Sequence, residues 1–308
     1  MNAGRRSTLL ALIAGAASTA CNEVPKGGVP KTPEQPALSR KLLPNEVIPA
    51  DLDVVVRVDL SLLRKTLGPR FDQELAARYG GDPLLMSALA KGRTVTIGVR
   101  AADLEQGDHV VVVEGAEVGL DLEKEGFLPR ESRNDKVKAF VRALPSDRDR
   151  TDAVVLLDER AIAFVSPVET DAVLRILRDG SDEQRGQPVA EGIVSADIRP
   201  RRLPPALERK FPSFGRLLAQ VMRIRLLLKV SDDGLRLEGE IISKSDASAH
   251  KVRQFLDVFR EGASGEGATA ILKKMKLEKV GAVVRVTSVL SIADIAGFFT
   301  PAEASPQP

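Results

Sequence analysis

Between residues 48 and 300 the chain switches between alternating and helical spacing of its apolar positions, and it does so in the same order twice. Val54, Val55, Val56 and Val58 read as a strand that hands over to a helix at Asp59-Leu60-Ser61. Gly68-Pro69 interrupts, and Phe71 and Leu75 mark one face of a following helix. Asp82-Pro83, then Leu84, Leu85, Ala88 and Leu89, then Gly92, supplies a cap, a first-turn proline and a stop. Val95, Ile97 and Val99 alternate with polar or small residues, as in a strand with one buried face. Residues 110–113 are apolar throughout, as in a central strand. A strand is expected at 137–144, and a hairpin at 153–165 across Asp158-Glu159-Arg160. Ser166-Pro167-Val168-Glu169 opens a helix that stops near Gly180.

The second half repeats the plan. Val194-Ser195-Ala196-Asp197-Ile198 echoes Val56-Arg57-Val58-Asp59-Leu60. Met222, Ile224, Leu226, Leu228 and Val230 point one way, with Arg223, Arg225 and Lys229 opposite. After Asp233-Gly234, Leu235, Leu237 and Ile241 alternate with Arg236, Glu238 and Glu240. Asp-Gly favours a tight turn, and centring it there puts Val230 opposite Leu237 and Lys229 opposite Glu238. A helix follows from about Asp246, with Ala249, Val252, Leu256 and Phe259 at core spacing, to Gly262. A shorter helix is expected at 268–277, a strand at 280–289 and a final helical turn or two at 292–299. These blocks predict an α+β fold of two tandem, duplicated domains, at 48–182 and 190–300. Each is a mainly antiparallel sheet with helices packed on one face, and 301–308 is a disordered tail.

The first 47 residues have a different texture. Arg5 and Arg6 precede an apolar run from Leu9 to Ala17 that is too short to span a bilayer. Ser18-Thr19-Ala20 and then Cys21, the single cysteine, follow. Residues 1–20 read as an export signal. The Ala20-Cys21 junction resembles the lipobox of bacterial lipoproteins, although Ser18 stands where that family usually carries leucine, and an ordinary secretory peptidase could also cut here. The resemblance implies a chain lipidated at Cys21 and anchored to the envelope, with Asn22 favouring the outer membrane. Residues 21–47 carry prolines at 25, 30, 33, 36 and 44 and no apolar period, which suits a disordered tether reaching about 30 Å as a coil or about 80 Å as polyproline. With Arg57-Val58-Asp59-Leu60 and the doubled plan, the layout resembles the tethered bacterial lipoproteins with duplicated α+β bodies. That resemblance implies anchoring and carries over no catalytic residue.

Composition narrows the chemistry. The chain has 45 Lys+Arg against 43 Asp+Glu, and losing Arg5 and Arg6 with the signal leaves the two signs equal, so nothing pulls it globally toward nucleic acid. There is no Trp and one Tyr, which removes the aromatic platforms of base and sugar recognition. His109 and His250, with Cys21 committed to the anchor, offer little for zinc or for Ser-His-Asp catalysis; no metal, cofactor or catalytic residue is expected. Asp147, Asp149 and Asp152 alternate with Arg148 and Arg150 and lack the glycine and terminal glutamate of a calcium loop. Residues 262–269 approach a phosphate loop but have Ala268 where lysine is essential. Asp59 and Asp197 are expected to cap helices.

One cluster stands out as a partner-binding basic patch: Arg199, Arg201, Arg202, Arg209, Lys210 and Arg216, set against acids at 114–125. The expected function is a lipid-anchored, non-enzymatic binding or assembly module of the cell envelope. Its partners would be the membrane, through the N-terminal lipid, and an envelope protein. The alternatives are a periplasmic carrier of lipid or another hydrophobic ligand, and a hydrolase that works with carboxylates alone.

Overall fold

The computed structural model describes residues 42–68, 71–73, 82–100, 108–116, 121–132, 134–143, 151–180, 192–200, 209, 212–232, 234–262 and 268–291. The segment read as an export signal, Cys21 and nearly all of the segment read as a tether therefore lie outside the described residues, as do the second half of the helix read at Phe71 and Leu75 and the turns expected at 292–299.

The described chain is α+β. Its strands are β1 (Val54–Asp59), β2 (Thr94–Val99), β3 (His109–Glu114), β4 (Phe127–Arg130), β5 (Lys138–Arg142), β6 (Ala153–Asp158) and β7 (Ala161–Val165), then β8 (Val194–Ile198), β9 (Val221–Ser231), β10 (Gly234–Ser243), β11 (Lys276–Val280) and β12 (Val283–Leu290). Its helices are α1 (Leu60–Leu67), α2 (Pro83–Lys91), α3 (Thr170–Asp179), α4 (Pro212–Leu218), α5 (Asp246–Gly262) and α6 (Ala268–Lys274). The twelve strands form one antiparallel sheet in the order β11-β12-β10-β9-β8-β1-β2-β3-β7-β6-β5-β4. Both segments read as tandem domains feed this sheet, because β1 pairs with β8 and Val56 lies opposite Ala196. Outward from that seam each half runs in the same order: β1-β2-β3-β7-β6 on one side, β8-β9-β10-β12-β11 on the other. The doubled plan in the sequence is thus a doubled strand order about one central pair.

Strand alternation sorts the core. Val111, Val113, Ile162 and Phe164 face α1 and α2, whose Leu60, Leu63, Leu85 and Leu89 are buried with them. Val110, Val112, Ala163 and Val165 point the other way and are covered by Val173 and Leu177 of α3 and by Val47, Ile48 and Leu52. In the first half, then, helices lie on both faces rather than one, because β3 is apolar from Val110 to Val113 and β7 throughout, and both sides need cover. In the second half Ala249 and Val252 of α5 cover one face with Val284. The opposite face alternates in charge instead. One rung runs Asp197, Arg225, Glu240, Arg285, Glu278 across five strands. Such opposite-sign neighbours suit the exposed or half-buried positions of this rung from Arg225 to Glu278.

The segment just after the tether crosses β2. A Cβ on Gly98 would stand 2.6 Å from Ile48 Cγ2 and 2.9 Å from Leu52 Cδ1, so only glycine lets this strap lie flat on the sheet. The hairpin of β9 and β10 closes earlier than the Asp-Gly rule suggests: Ser231 pairs with Gly234, Val230 with Leu235 and Lys229 with Arg236. Its register is set by β12 as well as by the turn. Gly234 holds φ +126, and a Cβ there would sit 2.8 Å from the Leu290 carbonyl oxygen. Lys229 still reaches Glu238, diagonally, at 2.9 Å. The edge strands β4 and β11 were not expected from the sequence. Phe127 anchors β4, fully buried beneath the Arg142 guanidinium at 4.4 Å.

Candidate binding surfaces

The predicted basic patch is only partly described: Arg199, Arg209 and Arg216 are placed, whereas Arg201, Arg202 and Lys210 lie outside the described residues. Arg199 continues from β8, its N–H donating to the Asp53 carbonyl at 2.7 Å. Arg209 and Arg216 are exposed, the second on α4.

The helix that carries Arg216 also carries part of a feature that sequence reading missed. Phe214 of α4 meets Phe255 of α5 with ring centroids 5.7 Å apart, and Phe255 stacks on Phe259 at 5.9 Å. Phe259 was expected in the core. It is 55% exposed, and its neighbour Val258 is 69% exposed. Ala249 and Val252 near the start of α5 are buried in the core around Val284, whereas the later positions 255–259 are open or half-buried. Lys251, one turn before Phe255, is exposed too. The signal was available in the spacing: Phe255 and Phe259, with Val258, form a second apolar stripe beside the one through Val252 and Leu256.

The two acids read as caps separate. Asp59 caps α1, accepting the Leu62 N–H at 2.9 Å. Asp197 does not cap; it sits inside β8 and receives both arms of Arg223 at 2.7 and 2.6 Å, with its side chain 4% exposed. Those hydrogen bonds, against the pull of burial, hold the Arg223 guanidinium above its ordinary pKa. The difference lies in where each strand ends: Asp59 closes β1 directly before α1, whereas Asp197 lies within β8 with Val55 opposite it. Near this fork a hollow of about 350 Å³ opens, lined by Ser195, Arg225, Leu227, Glu240, Arg285 and Thr287 among others.

A second charged knot ties the strap down. Arg100 donates to Glu169 at 2.8 Å and to Asp51 at 2.9 Å, and Glu169 is 1% exposed. Burial pushes the Glu169 carboxyl up, against the pull of Arg100. Burial by itself would lower the Arg100 pKa, but hydrogen bonds to Glu169 and Asp51 outweigh it and hold the guanidinium charged. Glu114 is raised by burial too, more than Arg57 can offset.

A groove of about 890 Å³ runs between α3 and strands β4 and β5. Asp152, at one end, accepts the Thr170 hydroxyl at 3.0 Å; Asp147 and Asp149 lie outside the described residues. His109 opens β3, its backbone N–H donating to Ser166 Oγ at 3.0 Å, and His250 is exposed on α5. Among the described residues no group of three or more His, Cys, Asp or Glu side chains is placed to hold a metal ion, and no helix is long and apolar enough to cross a membrane.

No protein-family model and no curated protein matches this chain. Among solved structures, crystal forms of the Treponema protein TP0453 are similar to it. Form I aligns at a TM-score of 0.49 and 11% identity, covering 86% of this chain and 98% of that one. Form III aligns at 0.44 and 10%, covering 83% and 96%, and form IV at 0.44 and 9%, covering 83% and 95%. At this level the likeness carries no argument about what the chain does.

Proposed function

We propose that this chain is a lipid-anchored cell-envelope protein whose body binds or organises another envelope component without catalysing a reaction. The anchoring part rests on the sequence of residues 1–47, with Cys21 as the acylated residue. One observation carries the binding part: the aromatic surface formed by Phe214, Phe255, Val258 and Phe259 on α4 and α5, more than half exposed at its two outermost residues. Phe259 and Val258 stand open to water at the end of a half-buried phenylalanine stack and add little to the core, and such patches mark interaction sites. Lys251, exposed one turn before Phe255 on the same helix, suits a partner with a carboxylate beside an apolar centre. A protein fits better than a lipid surface, because the polar side of α5 is of mixed sign: Asp257 pairs with Arg253 at 3.5 Å and with Arg260 at 2.9 Å, unlike the lysine- and arginine-rich face of interfacial helices.

The test has two arms. Mass analysis of the mature N-terminal peptide is expected to show acylated Cys21, and an unmodified terminus would overturn the anchor. Affinity capture from detergent-solubilised envelopes is expected to return a specific protein with the unaltered chain and at least tenfold less with Val258→Ser/Phe259→Ser. Equal recovery with that variant would remove the patch from the account. Native mass spectra showing retained lipid would instead favour the carrier reading.

A further inference from the structure

The groove beside α3 is electrically bipolar, and its polarity follows from the strand register. β5 runs antiparallel to β6, with Val141 opposite Ala153 and Ala139 opposite Val155, so Asp152 lies at the Val141 end. The Thr170 hydroxyl bonded to Asp152 fixes the start of α3 there too, bringing Asp171 with it. At the other end Arg130 lies opposite Ala139, and α3 arrives with Arg175 and Arg178. Arg178 is engaged by Asp179 at 2.8 Å, and Glu131 also stands at this end. Arg130 and Arg175 are both exposed. Between the poles the floor is apolar: Ala139 and Leu177 are buried, Val141 and Leu174 half-buried.

We propose that this groove binds a short zwitterionic peptide, with its free carboxylate at Arg130 and Arg175, its free amino group at Asp152 and Asp171, and its side chains on the apolar floor. The dimensions suit such a ligand. Asp171 and Arg175 are about 6 Å apart along the helix axis, and side-chain reach lengthens the span to that of two to four extended residues at about 3.4 Å each. An acyl chain would satisfy the floor but leave the acidic pole facing methylenes, and a lone anion would leave the floor bare. The inference is independent of the aromatic patch, which lies on α4 and α5.

The test is calorimetric titration of the mature chain with the tripeptide Ala-Val-Ala, its N-acetylated form, its C-amidated form and the doubly capped form. Saturable binding of the free tripeptide is expected. Each cap should weaken it about threefold to fivefold, the range of one exposed ion pair, and both together about tenfold or more. In Arg130→Ala/Arg175→Ala the amide should cost nothing further, and in Asp171→Asn the penalty for acetylation should shrink, with thermal midpoints unchanged in both variants. Absence of saturable binding, equal binding of free and doubly capped peptide, or binding of myristate in its place would each overturn the proposal.

Discussion

Glu169 and Arg100 illustrate what a single buried pair does here. The carboxylate is 1% exposed while the guanidinium is 26% exposed, so one partner has lost its water and the other has not. Removing the cation by Arg100→Ala leaves Glu169 and Asp51 without it and is expected to cost about 2–4 kcal/mol in urea melts, the lower range for a pair with one wet partner. Glu169→Gln keeps the shape, removes the charge that burial penalises, and should cost less. The pH dependence has a definite sign. A carboxyl whose folded pKa is raised binds its proton more tightly in the fold than in the unfolded chain, so its contribution to stability improves as pH falls through the folded value. As pH falls from 7 toward the ordinary value of 4.5 the unaltered chain should therefore gain stability relative to Glu169→Gln; a relative loss would contradict the assignment. Gly98→Ala tests the strap from the other side. With Ile48 and Leu52 in the way, it is expected to cost about 1–3 kcal/mol and to expose residues 42–53 to limited proteolysis. At this scale the sequence was half legible. The Asp59 cap is a local event, read from a strand running into a helix. The Asp197 fork needs Arg223, 26 residues away, and a register that no local rule supplies.

Among the elements, the long periodic ones were readable and the short charged ones were not. β3, β7 and α2 were evident from apolar runs and caps. β4 carries Pro129 and β11 three charges in five residues, compositions that argue against a strand yet are those that keep a sheet edge from recruiting another. Pro129→Val should therefore leave the fold intact and increase concentration-dependent association in sedimentation experiments; unchanged sedimentation would show that β4 is protected by something else. α5 was placed correctly, but Phe259 was assigned to the core along with Ala249, Val252 and Leu256. Periodicity reports that residues share a face. It does not report whether anything lies opposite, and beyond Val252 the outer stripe of α5 is left open. The candidate surface was therefore the least legible part of the chain. Arg216 on α4 was noticed, and Phe259 was read as interior.

For the whole molecule, β1 against β8 makes the two halves one hydrogen-bonded sheet, and the apolar cluster of the first half extends to Leu235, Ile271 and Leu290 of the second. A length prior favours two domains, and nothing in Val54–Val58 says that its neighbour is 140 residues on. One cooperative transition is expected in chemical denaturation, with coincident midpoints for far-ultraviolet dichroism and for fluorescent probes placed in each half; separate midpoints would mean that the seam is weak. The central claim is that this body, held at the envelope, presents α4 and α5 to a partner protein. The most direct measurement is photo-crosslinking in intact cells from a reactive residue placed at Phe259, beside a control at the exposed His250 on the same helix. One discrete protein adduct from position 259 and none from 250 is the predicted result. Adducts equal at both positions, or lipid adducts alone at 259, would contradict it.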